Sequence, residues 1–314
     1  MHIPDGMLEA RTWIPAWLGS AGVLAYGIRR VRQTLSDGTI VMMAVMAALI
    51  FALQMLNFPV AGGTSGHFAG GAAAAIVLGL WPAMLVMAAV LTVQALFFAD
   101  GGITALGANM LTLAVVAPLV GWTVHRIIVR PTSSRGARLG ASFAAAWLSC
   151  VSAAIVAALM LWLSGRAPLV PVVGVMSMWH ALIGIGEGAI TAGLVGYLLA
   201  VRPDLLDDAG RPIDMRVARK ALVGLGALAL VAAGLSFVAS SSPDGLEYAY
   251  EHVGGALADV TLLSSPMPDY LMPGIGNETL AGILAGIVGV IVTGVLAYTL
   301  LTALRARRAA DTAE

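Results

Sequence analysis

The chain opens Met1-His2-Ile3-Pro4-Asp5-Gly6, and its first two residues carry the atoms of a metal chelate. The α-amine, the His2 backbone nitrogen and His2 Nδ1 lie on one short covalent path. Amine and amide nitrogen close a five-membered ring around a cation, and amide nitrogen and Nδ1 close a six-membered one. Neither ring is strained, and together they set the three nitrogens in a plane. A deprotonated amide nitrogen is a strong-field donor, which suits square-planar Ni(II), Cu(II) or low-spin Co(II). The best candidate for the fourth nitrogen is His67, which ends the glycine-rich stretch Pro59-Val60-Ala61-Gly62-Gly63-Thr64-Ser65-Gly66-His67.

Two further sets of polar residues stand out from an apolar background. Gln54, Asn57, Gln94, Asp100 and Asn109 fall near the ends of hydrophobic runs. Each fits a helix cap or an inter-helix hydrogen bond, and each also fits a partner that orients metal ligands. His180 and Glu187 lie deep within one run, seven residues apart, so two helical turns place them on one face. Ionisable groups at membrane depth are functional candidates by default, while a paired structural contact fits the same spacing.

These residues need a membrane-embedded framework to hold them. Of 314 residues, 59% are hydrophobic and 11% charged, against roughly 25% charged in a soluble domain. So few charges cannot cover a water-soluble surface. The hydrophobic pattern predicts an all-α, polytopic transmembrane bundle of about nine spans, near 12–28, 39–58, 67–80, 82–99, 103–125, 139–163, 170–200, 219–239 and 279–304. The third is short and is expected to form a tight hairpin with the fourth around Trp81-Pro82.

If nine spans alternate, Arg29, Arg30, Arg32, Arg126, Arg130, Arg135, Arg138, Arg202, Arg211, Arg216, Arg219, Lys220, Arg305, Arg307 and Arg308 share one side. Arg11 and Arg166 fall on the other. The positive-inside rule makes the crowded side cytoplasmic, with the N-terminus outside and the C-terminus inside. His2 and His67 then share the external side. The opening residues lack the basic region and cleavage site of a signal peptide. Lys220 is the single lysine and precedes Ala221, which excludes a Walker A loop, and no His-Glu-x-x-His occurs. The lone Cys150 reads as a small core residue. Nothing points to nucleic acid.

Four segments resemble a known family. The Met1–Gly6 opening, Gly62-Gly63-Thr64-Ser65-Gly66-His67, the stretch from Gln94 to Asn109, and His180-Ala181-Leu182-Ile183-Gly184-Ile185-Gly186-Glu187 are similar to the CbiM/NikM substrate-binding components of energy-coupling-factor transporters. Pro243-Asp244-Gly245-Leu246-Glu247 resembles the signature of the small, two-span CbiN/NikN accessory component. The resemblance implies a metal-capturing core of seven spans over 1–200, a cytoplasmic basic linker over 201–218, and a two-span accessory part with an external acidic loop over 219–314. It also implies that Met1, His2 and His67 hold Ni2+, or Co2+, as transported substrate, with no prosthetic group. The chain would be a transporter subunit rather than an enzyme, in a prokaryotic inner membrane. Separate transmembrane coupling (T) and ATPase (A) subunits would complete it. The Pro-Asp-Gly opening leans towards the nickel members.

The external loop carries Asp244, Glu247, Glu251, His252, Asp259, Asp269 and Glu278 and no Lys or Arg. It fits concentration of cations, placement of the N-terminus over the site, or a plain solvated loop; Asp244, Glu247 and His252 are its candidate site residues. Two other functions start from His180 and Glu187: a proton-coupled secondary transporter, and a membrane enzyme using the pair as acid and base. Neither uses the Met-His opening.

Overall fold

The computed structural model describes residues 1–129, 134–207, 209, 212–240, 242–255, 260 and 262–311. Arg130, Arg211 and Asp259 lie outside the described residues, as do the side chains of Arg216 and Arg308. The helices that correspond to the expected spans are α1 (Ala10–Val31), α2 (Asp37–Gln54), α3 (Gly71–Leu78), α4 (Leu80–Phe98), α5 (Leu106–Val129), α6 (Arg135–Leu163), α7 (Leu169–Val201), α8 (Met215–Gly234) and, after a short α9 (Gly245–His252), α10 (Glu278–Asp311). Among the described residues, six of them (α2, α4, α5, α6, α7 and α10) are long and apolar enough to cross a bilayer. The chain is a multi-pass membrane protein.

Small residues set how closely these helices approach. Along α6, Ala141, Ala145, Ser149, Ala153 and Ala157 recur every fourth position and are all buried. Where lipid tails are as apolar as leucine, such rows let backbones come close enough for dispersion and hydrogen bonding. Ser149 Oγ donates to the Ala117 carbonyl of α5 at 2.8 Å, and Trp147 Nε1 to the Ala181 carbonyl of α7 at 2.8 Å. The last helix, α10, packs along α2, α4 and α8, so the C-terminal part is built into the bundle.

The third expected span differs most. Helix is confined to Gly71–Leu78, about 12 Å long at 1.5 Å per residue, against a hydrocarbon core of about 30 Å. Before it, strands β1 (Phe58–Val60) and β2 (Thr64–Gly66) pair antiparallel, and residues 64–70 run buried and non-helical into the bundle. The break before α4 falls at Gly79, whose φ of 82° ends α3. Periodicity missed this because an apolar, alanine-rich stretch scores as span whether or not its start is helical.

The bundle has two chemically distinct ends. At one, Ser36 caps α2 by accepting from Thr39 N at 3.1 Å, Arg305 meets Asp37, and Ser36 Oγ donates to the Ile213 carbonyl at 2.9 Å. At the other lie the N-terminal segment, the β-hairpin and the segments after α4 and α8. Close packing makes a testable demand at Gly121 of α5, where an added Cβ would sit 2.5 Å from Ala72 Cβ and 2.6 Å from its Cα. Gly121→Leu is expected to cost about 1–3 kcal/mol or more and to lower the thermal midpoint in detergent. Gly22→Leu, at a position with open space, should leave that midpoint unchanged.

Candidate metal centre

The first residues are held by their backbone. Ile3 is fully buried; its N–H donates to Asn109 Oδ1 at 2.8 Å and its carbonyl accepts from Asn109 Nδ2 at 3.0 Å. An asparagine amide offers one acceptor and donors side by side, so it can pair with a single residue's N–H and C=O as a strand would. The Ile3 carbonyl also accepts from Gly102 N at 2.9 Å. Asp5 accepts from Ile103 N (3.0 Å), Thr104 N (2.8 Å) and Thr104 Oγ1 (2.5 Å). The 100–104 loop thus grips Ile3 and Asp5, on either side of Pro4. Asn109 stands out by its position in the sequence; Asp5 carries no separate signal.

This clamp delivers the nitrogens to one place. The Met1 amine lies 3.0 Å from His67 Nε2, and the His2 and His67 ring centroids are 5.0 Å apart. The Met1 ammonium also donates to Asp244 Oδ2. His2 Nδ1 sits 3.0 Å from Asp100 Oδ1, and Tyr270 donates its hydroxyl to Asp100 Oδ2 at 2.5 Å. Met1, His2 and His67 are all buried. Among the described residues no group of three or more His, Cys, Asp or Glu side chains is arranged to hold a metal; the Met1 amine stands beside His67 Nε2.

The electrostatics favour neutral imidazole beside ionised carboxylates. Burial, then the Met1 ammonium, then the His2 ring, hold His67 well below the usual histidine range against the opposing pull of Asp244 and Asp100. Burial alone would raise Asp244, yet the ammonium, His67 and its hydrogen bonds hold it well below the carboxylate range. Asp100 behaves alike: burial would raise it, and His2, by charge and hydrogen bond, with help from His67 and Tyr270, pulls it far down. Burial, then the Asp100 charge, keeps the Tyr270 hydroxyl protonated and able to donate.

The loop carrying His67 needs partners because its backbone runs non-helical inside the bundle. Glu187 accepts from Ala69 N at 2.6 Å and Gly70 N at 3.0 Å, and Gln54 Nε2 donates to the Ala69 carbonyl at 2.6 Å. Glu187 and His180 do not bond each other: His180 Nδ1 lies 2.9 Å from the Met176 carbonyl. Gln94 is fully buried, and its backbone carbonyl accepts from Asp100 N at 3.2 Å, turning the chain at the end of α4. The Asn57 carbonyl accepts from Ser240 N at 2.7 Å.

The Pro243–Glu247 motif has a local explanation. Asp244 caps α9 by accepting from Leu246 N (2.8 Å) and Glu247 N (3.0 Å), while Glu247 Oε2 accepts from Asp244 N at 3.1 Å, a reciprocal capping box. Gly245 lets this turn press against α7, since a Cβ there would sit 2.7 Å from Ile183 Cδ1 and 3.0 Å from His180 Cε1. The Pro243 carbonyl accepts from Ser65 N at 2.9 Å. Asp244 and Glu247 therefore join the centre, whereas His252 is exposed, stacked on Tyr248 at 3.8 Å and apart from it. The expected loop is in this part a helix.

Outside the nitrogens lies a polar chamber of about 540 Å³, reached by Asp100, Glu247, Asp269 and Gln54. If Asn109 fixes the amine, Asn109→Leu should free it. Acylation of the Met1 amine by a water-soluble reagent is expected to quicken at least about tenfold, the lower bound for losing an orienting partner, with the folded fraction unchanged.

Residues 2–205 match the CbiM family, described as cobalt uptake substrate-specific transmembrane region, and residues 219–306 match the PDGLE domain. A protein of Archaeoglobus fulgidus, provisionally described as a fused nickel transport protein NikMN, is 41% identical over 308 residues, 96% of this chain and 98% of that one. The fused nickel transport protein NikMN of Rhodobacter capsulatus is 31% identical over 94% of this chain and 96% of its own. The crystal structure of a truncated transition metal transporter superposes with a TM-score of 0.58 at 31% identity, covering 64% of this chain and 99% of that one. With the family matched over the segment that builds the centre, the chain belongs to the CbiM family of cobalt uptake substrate-specific transmembrane regions, extended by a PDGLE domain.

Proposed function

We propose that this membrane metal transporter is the substrate-specificity component of an ATP-driven energy-coupling-factor system that takes up nickel, or cobalt. The observation that carries the reading is the Met1 amine 3.0 Å from His67 Nε2 with the His2 ring beside both. The ligands are the Met1 amine, the His2 amide and imidazole nitrogens, and His67. Nickel is favoured by the names of the full-length relatives. Nine spans, an external N-terminus and a cytoplasmic C-terminus accord with the polar chamber at one end and the basic segments at the other. Residues 1–200 form the capturing core, 201–218 the basic linker and 219–314 the accessory part, a division that the extents of the two family matches support. A transmembrane coupling subunit and ATPase subunits supply the energy.

In this arrangement the chain's own groups do the selective work. Asn109 and Asp5 hold the amine in place, so little conformational entropy remains to be lost on binding. Asp244 takes the hydrogen bond of the Met1 ammonium, and binding releases one proton from that amine and one from the His2 amide. His2 Nδ1 must leave Asp100 to complete the chelate. Glu187 acts on backbone amides, which weighs against its serving a proton relay with His180.

The test uses the full chain with a C-terminal tag and Ni(II) titration. Acetylating the Met1 amine, or His67→Ala, should weaken binding by more than about 100-fold, the upper end for merely orienting partners. Affinity should fall as pH falls, by at least about tenfold per pH unit, because amine and amide must both lose protons. His67, already held neutral, should add no further loss near pH 6.5, the usual histidine midpoint. Binding that ignores acetylation, or a flat pH profile, would rule the ligand set out.

A further inference from the structure

His67 separates two spaces of different character. The chamber on its outer side is lined by His2, Asp100 and Glu247. On its other side is a pocket of about 10 Å³, bounded by Met1, His67, Asp244, Cys150 and His180, close to what one water-sized occupant needs. His67 and Asp244 border both spaces, and His180 borders the inner one.

The imidazole of His180 is set for ligation. A carbonyl oxygen can only accept, so Nδ1, 2.9 Å from the Met176 carbonyl, carries the ring proton. Nε2 therefore presents a lone pair. Metal-binding histidines almost always show this arrangement, with the other ring nitrogen donating to a carbonyl or carboxylate. The residue is 2% exposed, and it lines the inner pocket together with Met1 and His67. Gly245 keeps the ring's edge open: a Cβ there would lie 3.0 Å from Cε1 and 3.4 Å from Nε2. Cys150 Sγ, on the same pocket, donates to the His180 carbonyl at 3.6 Å and fixes the helix behind the ring.

We propose that His180 Nε2 is an inner nitrogen ligand that receives a divalent transition-metal cation moving one step inward from Met1, His2 and His67. The proposal rests on the ligand set given above. As the bond from metal to Nε2 forms, a bond to an outer donor breaks. The cation stays divalent, and His180 loses no proton, because Nε2 carries none. The pocket's size admits a cation that has shed most of its water, so the step follows dehydration at the outer nitrogens.

Cu(II) is the probe, since it binds nitrogen sites more tightly than nickel and pulsed electron paramagnetic resonance counts its imidazole ligands. On the full chain, wild type should show two imidazoles, His2 and His67. His67→Ala should still show two, the ion having settled onto His180; His67→Ala with His180→Ala should show one. His180→Gln serves the same comparison should the alanine variant fold poorly. In the assembled transporter His180→Gln should cut Ni(II) uptake by about tenfold or more while the purified chain's Ni(II) affinity changes by less than about threefold, a split that lost packing does not produce. One imidazole in His67→Ala, or undiminished uptake, overturns the proposal. A wild-type spectrum without imidazole coupling, or indifferent to Met1 acetylation, sinks the outer ligand set itself and is told apart by that pattern.

Discussion

The ion pair between the Met1 ammonium and Asp244 joins the first atom of the chain to a carboxylate 243 residues later. A charge in an apolar interior is tolerated when it is paired and hydrogen-bonded, and 11% charged residues leave few groups to do this. Asp244 serves both ends of the problem. One oxygen caps α9 and the other takes the ammonium. The turn it builds presses on α7 through Gly245 and pairs with Ser65, two residues before His67. Removing this carboxylate would leave a buried ammonium unpaired and a helix uncapped together, so the N-terminal and C-terminal parts are one structural unit at this point.

A second constraint is the non-helical backbone at depth. An unpaired amide or carbonyl in hydrocarbon costs several kcal/mol, and residues 64–70 expose a run of them. Glu187, Gln54 and Pro243 answer with hydrogen bonds to the backbone of Ala69, Gly70 and Ser65. An intramembrane glutamate therefore need not carry protons to justify its burial. It holds the loop from which His67 meets the amine, and so acts on the site through another residue.

Much of this was legible in the residues. Composition and hydropathy give the helical membrane class, and Met-His together with a loop histidine names groups that lie together in the fold. Asp100 and Asn109 stood out because polar groups are rare in such a chain. The third span was misread because a stretch of small apolar residues looks the same whether helical or extended, and the distinction rests on Glu187, 118 residues away from the Ala69 amide it accepts. The two-sided use of Asp244 was hidden for a like reason. A capping box is a local signal, readable from Asp244 and Glu247, but nothing local says that the second oxygen faces Met1. His252, equally polar and equally placed by sequence, turns outward because its ring stacks on Tyr248.

The charges at the centre also bear on why a divalent cation suits it. Asp100 and Asp244, both held well below the usual carboxylate range, face the nitrogens with two negative charges. On the proposed ligand set, loading removes one proton from the ammonium and one from the His2 amide and adds a divalent cation. Two positive charges leave and two arrive, so the sum is unchanged. In a low-dielectric setting, where a single uncompensated charge costs several kcal/mol, an exchange that conserves charge needs no compensating movement of ions. A monovalent cation would leave the same carboxylates in excess, and a trivalent one would leave them short.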